Sequence, residues 1–444
     1  SEEPFWQNIK PYVPTMKIRG SYGSVGNQAL TSWYPYIATL TSKTVSWLGS
    51  DMNQKSTVST PAAVNADMTW EKIRTLDFGF DAGFLNNELN VTFDWYLRRN
   101  VGMLVSGNEI IRYVGIASAP LENGGDLKTT GWELQIDYNH AFNKDFAVYG
   151  TFTLADSKSE ITKWNNTTGA LQGWYEGKQL GEIWGFETDR YFNSSDLNSD
   201  GTLKEGIPDQ SYIQTGSFRF GAGDVKFKDI DGSGKIDTGK GTIDDHGDLK
   251  RIGNALPRYE YSLRLGAMFK GFDFEVLFQG VGKRDMWTTS SLFIPHAAGA
   301  QMNIFENQLD YWTENNQNAR FPRPYINSAF GSLSGLPSNS GINNFVPQTK
   351  YLNNLAYLRV KNLTVGYTIP QNLTQKVSVE KLRIYFSAQN LLTFDHIDGV
   401  MDPESTGGWS SGLNVDSLSG VDTRYAGRSM PFNRQWSCGV QITF

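Results

Sequence analysis

The feature that most constrains the fold is an alternation of apolar and polar residues with a period of two. In the segment 88–98, five apolar residues alternate with polar or charged ones: Leu89, Val91, Phe93, Trp95 and Leu97. The same alternation recurs in four further segments: 132–139, 258–267, 381–389 and 435–444. Because successive side chains of a strand point to opposite faces, the pattern predicts strands with one apolar and one polar face. We count about ten to twelve such strands by this criterion.

A transmembrane barrel and a soluble β-sandwich both produce this alternation. Three features favour the barrel: the strands are long, their polar faces carry charged residues, and Trp and Tyr crowd the strand ends. Short turns at 85–87 and 270–271 also alternate with long connections such as 285–350. Outer-membrane barrels have short turns on one side and long loops on the other. The pattern therefore predicts an all-β transmembrane antiparallel barrel with long extracellular loops, and leaves the sandwich as the alternative.

Composition excludes several other classes of protein. Mean hydropathy is negative and no apolar run approaches the roughly 20 residues of a membrane-spanning helix, which excludes a helical membrane protein. The formal net charge is −6 and basic residues form no block, so no nucleic-acid partner is expected. Cys438 is the only cysteine, which excludes an internal disulfide and a Cys-based zinc site.

The sequence carries no recognisable catalytic arrangement. The four histidines lie outside any metalloprotease or nucleophile motif: His140, His246, His296 and His396. Gly20, Gly23 and Gly26 have a spacing that resembles a phosphate-binding loop, but no helical pattern follows them. Glycine in a strand that must bend explains this spacing better. We therefore expect that the chain is not an enzyme.

An acidic segment has the spacing of a calcium-binding loop. Residues with oxygen ligands occupy loop positions 1, 3, 5, 7 and 9: Asp229, Asp231, Ser233, Lys235 (through its carbonyl) and Asp237. Position 12 is Lys240 instead of glutamate, so the missing carboxylate would come from Asp244, Asp245 or Asp248. A bound structural Ca²⁺ is one interpretation. The other is a plain turn in which Asp and Gly serve only the backbone geometry.

Four aromatic residues are candidates for stacking on sugar rings: Trp174, Tyr175, Trp184 and Trp287. Packing within loops, or a place in an interfacial girdle, is the alternative for each of them.

Five segments, in order along the chain, resemble motifs of the SusC/RagA family of TonB-dependent importers. They are MKIRGSYGSVGN (16–27), WEKIRTLDFGFD (70–81), GDVKFKDIDGSGKID (223–237), YLRVKNLTVGYTIP (357–370) and QNLLTF (389–394), the last followed by DPE (402–404). The second segment, 70–81, departs from the family pattern at Leu76 and Asp77, where the family usually has an Asn-Ile pair. The third segment, 223–237, departs from it at 230–233, within the acidic segment.

The resemblance implies a 22-stranded barrel with an N-terminal plug. It further implies that residues 1–444 are the C-terminal part of that barrel, with Ser1 inside the barrel and the plug, TonB box and signal peptide absent from this chain. The expected function is active import across the bacterial outer membrane, of oligosaccharides in the first place and peptides in the second. A passive porin or an adhesion-type barrel without energy coupling is the alternative.

The resemblance also implies partners and an assembly signal. The expected partners are a SusD-like lipoprotein lid, the TonB-ExbB-ExbD complex, outer-membrane lipid and the substrate. The terminal residue Phe444, at the end of an alternating strand, would be recognised by the barrel-assembly machinery.

Overall fold

The computed structural model describes residues 3–28, 36–48, 53–59, 61, 63–107, 119–214, 218–295, 304–325, 341–397, 399–405, 426–427 and 429–444. Within these ranges regular structure is almost entirely β. The strands, in chain order, are β1 (Thr15–Asn27), β2 (Ser42–Leu48), β3 (Gln54–Val58), β4 (Glu71–Phe84), β5 (Leu89–Ser106), β6 (Leu121–Asn143), β7 (Phe146–Lys163), β8 (Glu182–Phe186), β9 (Thr188–Tyr191), β10 (Val225–Phe227), β11 (Leu249–Asn254), β12 (Arg258–Phe269), β13 (Phe272–Lys283), β14 (Asp285–Met286), β15 (Asn353–Asn354), β16 (Tyr357–Thr368), β17 (Lys381–Asp395) and β18 (Gln435–Thr443).

Helical structure is short. Within the described residues the one α-helix is α1 (Gln371–Thr374), and the 3-10 turns are Pro4–Trp6, Leu85–Asn87, Ser194–Asp196, Ser211–Ile213, Glu306–Gln308, Gly341–Phe345 and Gln375–Val377. None of the described helices has the length and apolar character needed to cross a bilayer.

Ten of the described strands form one antiparallel sheet in the order β1-β4-β5-β6-β7-β12-β13-β16-β17-β18. Each strand pairs with the next long strand of the chain, as in an up-and-down barrel wall. Within the described residues β1 pairs only with β4 and β18 only with β17, so these strands do not close the sheet. The predicted all-β fold is confirmed.

Register places the alternating residues on two distinct faces. Phe93 on β5 lies opposite Phe80 on β4 and Leu134 on β6, and this continuity of apolar residues extends across all ten strands. Although apolar, this face is exposed: Ile18 is 78 % exposed and Val440 is 60 % exposed. We call it the outer face, and the opposite, polar face the inner wall. An exposed apolar face with a charged opposite face is the arrangement of a barrel in lipid.

Connections at the two ends of the sheet differ in length, as predicted. At one end the turns are short, for example Leu85–Asn87 and the two-residue turn of Lys270 and Gly271. Both Lys270 and Gly271 have positive φ (47° and 89°), which matches the right-handed twist of the flanking strands. At the other end the connections run over 28–70, 107–120, 164–257, 284–356 and 396–434.

Aromatic residues form a belt on the outer face at the short-turn end. Adjacent rings contact one another across neighbouring strands: Phe142 with Phe146 at 4.8 Å, Phe146 with Phe269 at 5.9 Å, and Phe272 with Tyr367 at 4.5 Å between centroids. Such belts mark the membrane–water interface. The belt therefore places the interface close to the short turns.

The described parts of three long connections, 164–257, 284–356 and 396–434, pack together into what we call the loop lobe. Their buried residues form one hydrophobic cluster, which includes Phe186, Trp287 and Ile397 from the three connections in turn. Four short strands of the lobe pair as β8 with β11 and β9 with β10. The sequence interpretation of these connections as surface loops missed this core, because its residues follow no period of two.

Candidate functional site

The inner wall is lined with charged and hydroxyl side chains that bond across strands. Arg19 on β1 donates to Asp94 on β5 at 2.8 Å and lies 3.2 Å from Asp81 on β4. Farther along the sheet, Tyr149 donates to Glu275 at 2.8 Å. Ionised side chains of this kind are not tolerated in hydrocarbon. The inner wall must therefore face water or polar protein.

Glycines of the inner wall are covered by large side chains from the neighbouring strand. Gly131 lies opposite Tyr96, Gly266 opposite Tyr149 and Gly439 opposite Tyr385, each as a register partner. A Cβ atom on any of these three glycines would overlap the ring of its tyrosine. The tyrosines thus lie along the wall instead of projecting away from it, and they place aromatic surface between the charged pairs.

The acidic segment folds into a tight turn in the loop lobe. Asp229 accepts backbone N–H groups with both carboxylate oxygens, from Gly232 at 2.7 Å and from Gly234 at 2.8 Å. Asp231 accepts the N–H of Ser233 at 2.9 Å. These contacts hold the backbone of residues 229–235 in the compact form that the sequence spacing predicted.

A third carboxylate, that of Asp248, joins this turn from a distant position in the sequence. Oxygens of Asp229, Asp231 and Asp248 lie within 4.8 Å of one another. Asp248 is fully buried and accepts the N–H groups of Ile230 at 2.6 Å and Asp237 at 2.9 Å. Burial raises the pKa of Asp248, and the charges of Asp231 and Asp229 raise it further.

The other predicted ligands form hydrogen bonds within the same segment. The carboxylate of Asp237 accepts the N–H of Gly239 at 2.7 Å, and the Ser233 hydroxyl donates to the carbonyl of Lys235 at 3.0 Å. Among the alternatives for the missing carboxylate, Asp245 instead pairs with Lys240 at 3.3 Å. Asp248 is therefore the one of the three candidates that the fold brings to Asp229 and Asp231.

Asp224, in the 223–237 motif, is a buried carboxyl that ties two connections of the loop lobe together. It accepts from Tyr325 at 2.6 Å, from Asn344 at 2.8 Å and from the N–H of Gly221 at 2.8 Å. Burial raises the pKa of Asp224 to about 6, against the hydrogen bonds that favour its charged form. The sequence interpretation assigned no role to this residue, although the motif contained it.

A buried ion cluster joins two of the motifs that the sequence resemblance identified. Arg359, on β16, is 2 % exposed and donates to Asp402 at 2.6 Å and to Glu404 at 2.7 Å. The Phe432 ring lies 5.3 Å from the guanidinium. The YLR and DPE motifs are therefore parts of one contact, which anchors the 396–434 connection to the inner wall.

The candidate aromatic residues divide into two groups. Tyr175 and Trp287 are buried in the core of the loop lobe, so packing is their role. Trp174 and Trp184 are half-buried; Trp184 donates to Glu182 at 2.8 Å, and Trp174 lies 5.7 Å from Trp164.

The histidines and the terminal residue lie apart from these groups. His140 contacts Glu88 at 2.7 Å on the outer face near a short turn, His246 lies beside Trp184, and His396 is exposed. His296 lies outside the described residues. Phe444 follows β18 and is 86 % exposed. Its role in assembly stays a prediction.

Comparison with known proteins gives consistent relatives, although no protein-family profile matches the chain. TonB-dependent receptor P3 of Formosa agariphila is 25 % identical over 97 % of this chain, and TonB-dependent receptor SusC of Bacteroides thetaiotaomicron is 24 % identical over 97 %. Among solved structures, the RagAB peptide transporter matches with a TM-score of 0.64 and 23 % identity over 98 % of the chain.

The alignments cover only part of each relative. This chain spans 40 % of receptor P3, 39 % of SusC and 41 % of the matched RagAB chain. The similarity thus extends over nearly all of this chain and about two-fifths of the curated relatives.

Proposed function

We propose that this chain is of the SusC/RagA type of TonB-dependent receptors of the bacterial outer membrane, and that it forms the C-terminal part of the barrel of an active nutrient importer. The observation that carries the proposal is the ten-stranded wall with an exposed apolar outer face and a charged inner wall. The remaining strands and a plug come, in this proposal, from the rest of a longer protein.

The partners of such an importer follow the same proposal. A SusD-like lipoprotein closes the extracellular side over the loop lobe, and TonB-ExbB-ExbD energises transport through the part of the protein that precedes these residues. A passive porin would need neither partner. Uptake by cells that express the full-length protein should therefore stop when a protonophore collapses the proton-motive force or when TonB is deleted. Uptake that continues under both conditions would favour the porin.

We propose oligosaccharides as the substrate class. The support is the inner wall, where the rings of Tyr96, Tyr149 and Tyr385 lie among charged and hydroxyl groups. Tyrosine combines an apolar ring with a polar hydroxyl, which suits ligands with apolar ring faces and hydroxyl edges. A deletion strain should lose growth on one or more glycans in a panel of glycans and peptides. If growth is lost only on peptides, the substrate class would instead be peptides, as in the name of the RagAB transporter.

We also propose that the acidic turn binds Ca²⁺ in the extracellular medium through Asp229, Asp231 and Asp248. Three converging carboxylates repel one another, and a hard cation with a preference for oxygen ligands relieves that repulsion. Because the ligand set is small and all three of its members also accept backbone N–H groups within the segment 229–237, affinity should be weak. A Kd of about 10⁻⁴ to 10⁻³ M is typical of extracellular modules. Calcium at about ten times Kd would stabilise the folded turn by about 1.4 kcal/mol.

Limited proteolysis of the full-length protein tests the calcium site. Calcium should slow cleavage between residues 220 and 251 relative to a chelator, and Asp231→Asn should remove the difference. Asp244→Asn is the matched control, because Asp244 is exposed and lies outside the group. Equal cleavage with calcium and with chelator in the unmutated protein would leave the plain turn as the correct interpretation.

A further inference from the structure

The outer face carries a groove of about 420 Å³ between β6, β7, β12 and β13. Gly150 and Ala267 form its floor. Its walls are large apolar side chains: Tyr138, Phe152, Leu265 and Phe274. By register, all of these residues project from the outer face, so the groove opens away from the inner wall.

The groove arises from a missing side chain at one register position. Gly150 lies directly opposite Tyr138 on one side and Leu265 on the other. One strand pair further toward the short turns, Ala267 lies opposite Val148 and Phe274, and again a small residue faces larger ones. Leu265 leans over Gly150, where an added Cβ atom would lie 3.1 Å from its Cδ2 atom, and the rest of the groove opens toward lipid. A flexible hydrocarbon chain is the occupant that such an environment supplies.

Two cations lie where the head group of that lipid would be. Ala267 is two residues from Phe269 in the aromatic belt, or about 7 Å along the strand. Lys270 follows at the turn, with its Nζ atom 5.4 Å from the centre of the Phe269 ring, and Lys144 occupies the neighbouring turn. Asp145 shares the turn with Lys144, and its carbonyl accepts the N–H of Lys270 at 2.9 Å, so two lysines and one aspartate leave a net positive charge here. Within the described residues neither lysine forms an ion pair, whereas Asp273 at the same end is paired with Arg383.

We propose that the groove seats one acyl chain of an anionic phospholipid whose phosphate lies between Lys144 and Lys270. The apolar groove fixes the chain, and the two ammonium groups select a net negative head group. Lysines beside a membrane surface attract anionic lipid head groups. The site thus combines a shape made by Gly150 and Ala267 with a charge made by the two lysines.

Photocrosslinking in lipid nanodiscs tests the proposal on the full-length protein. The probe is phosphatidylglycerol with a diazirine on one acyl chain, diluted into phosphatidylcholine. We expect labelling of residues 146–152 and 263–274 at least threefold above that of outward-facing residues on β17. Ala267→Leu should bring it to the background level, while Val440→Leu, which adds a methylene elsewhere on the outer face, should not. Each variant is first checked for heat-modifiable migration, so that a folding failure is not counted.

A second set of variants tests whether the two lysines select the head group. Lys144→Gln with Lys270→Gln should reduce the labelling at least threefold, and Lys376→Gln, in the helical connection between β16 and β17, should leave it unchanged. Labelling spread evenly over the outer face, or unaffected by Ala267→Leu, would overturn the groove. Equal labelling by a phosphatidylcholine probe would overturn the selection of an anionic head group.

Discussion

Removing the buried guanidinium of Arg359 should detach the 396–434 connection from the inner wall. Arg359→Met keeps much of the side-chain volume but leaves two carboxylates without their main partner. The side chain of Asp402 is 6 % exposed and that of Glu404 is 23 % exposed, so Asp402 suffers most. Water cannot solvate its charge fully unless the connection moves away.

The size of the effect follows from burial and from the partners that remain. Breaking one side of a buried ion pair costs about 3–5 kcal/mol. The lower end applies here, because Lys361 still lies 3.0 Å from Glu404 after the change. A loss of about 3 kcal/mol corresponds to about a hundredfold rise in the opening equilibrium of the connection.

Hydrogen exchange on the full-length protein measures that opening directly. The amide N–H of Glu404 donates to Asp402 at 2.9 Å, and that of Phe432 donates to it at 3.1 Å. Both amides should exchange about a hundredfold faster in Arg359→Met. The matched control is Lys361→Met, which removes a pair whose side chains are 24 % and 23 % exposed but leaves Arg359 with both carboxylates, so its effect should be smaller. An effect of Arg359→Met no larger than that of the control would refute the reasoning.

Lowering the pH should weaken the same contact between Arg359 and Asp402. Burial alone would raise the pKa of Asp402, but hydrogen bonds from Arg359 and from two backbone amides outweigh it and leave the pKa lowered. A carboxyl whose folded-state pKa is lowered contributes stability above its unfolded-state pKa, and this contribution is lost as pH falls through the folded-state value. Protection of the Glu404 amide should thus be constant from neutral pH to about pH 5 and fall below about pH 4. A decline already near pH 6 would point to a different group.

Three further predictions concern assembly and the barrel wall. Deleting Phe444 from the full-length protein should lower its abundance in the outer membrane, measured by immunoblot of membrane fractions; unchanged abundance would count against an assembly signal. Residues 1–444 refolded alone in detergent should aggregate, because β1 and β18 leave unpaired edges among the described strands; a monodisperse, heat-modifiable species would contradict this. Gly266→Ala should destabilise the full-length protein by about 1–3 kcal/mol in urea unfolding, since the new Cβ overlaps Tyr149. In the double variant with Tyr149→Ala, the extra destabilisation caused by Gly266→Ala should largely disappear. If the losses in unfolding free energy of the two single variants simply add, the ring of Tyr149 is not the cause.

The sequence was sufficient to predict the wall because its physical rule is local. A strand with lipid on one side and polar groups on the other must alternate, so segments such as 88–98 reveal both the strand and its faces. The turn at Lys270 and Gly271 could also be predicted, because it lies between two segments with alternating apolar residues. The predicted strands, their faces and the contrast between short and long connections are confirmed.

Contacts between distant segments could not be predicted in this way. Nothing in the local sequence selects Asp248 over Asp244 and Asp245 as the neighbour of Asp229, since all three follow the turn at similar spacing. The choice depends on the path of β11, which begins immediately after Asp248 and pairs with β8. The position of this carboxylate is thus a consequence of tertiary structure.

The loop lobe shows why long connections of a barrel can hold fixed geometry. An isolated loop could not offset the entropy of ordering its backbone. Three connections that share one core can do so, because Phe186, Trp287 and Ile397 are each almost fully buried against the others' segments. Asp224 adds a polar contact between the first two connections, and Arg359 attaches the third to the wall. The order of the lobe therefore depends on contacts between connections, so a change at either polar anchor should loosen more than the segment that carries it.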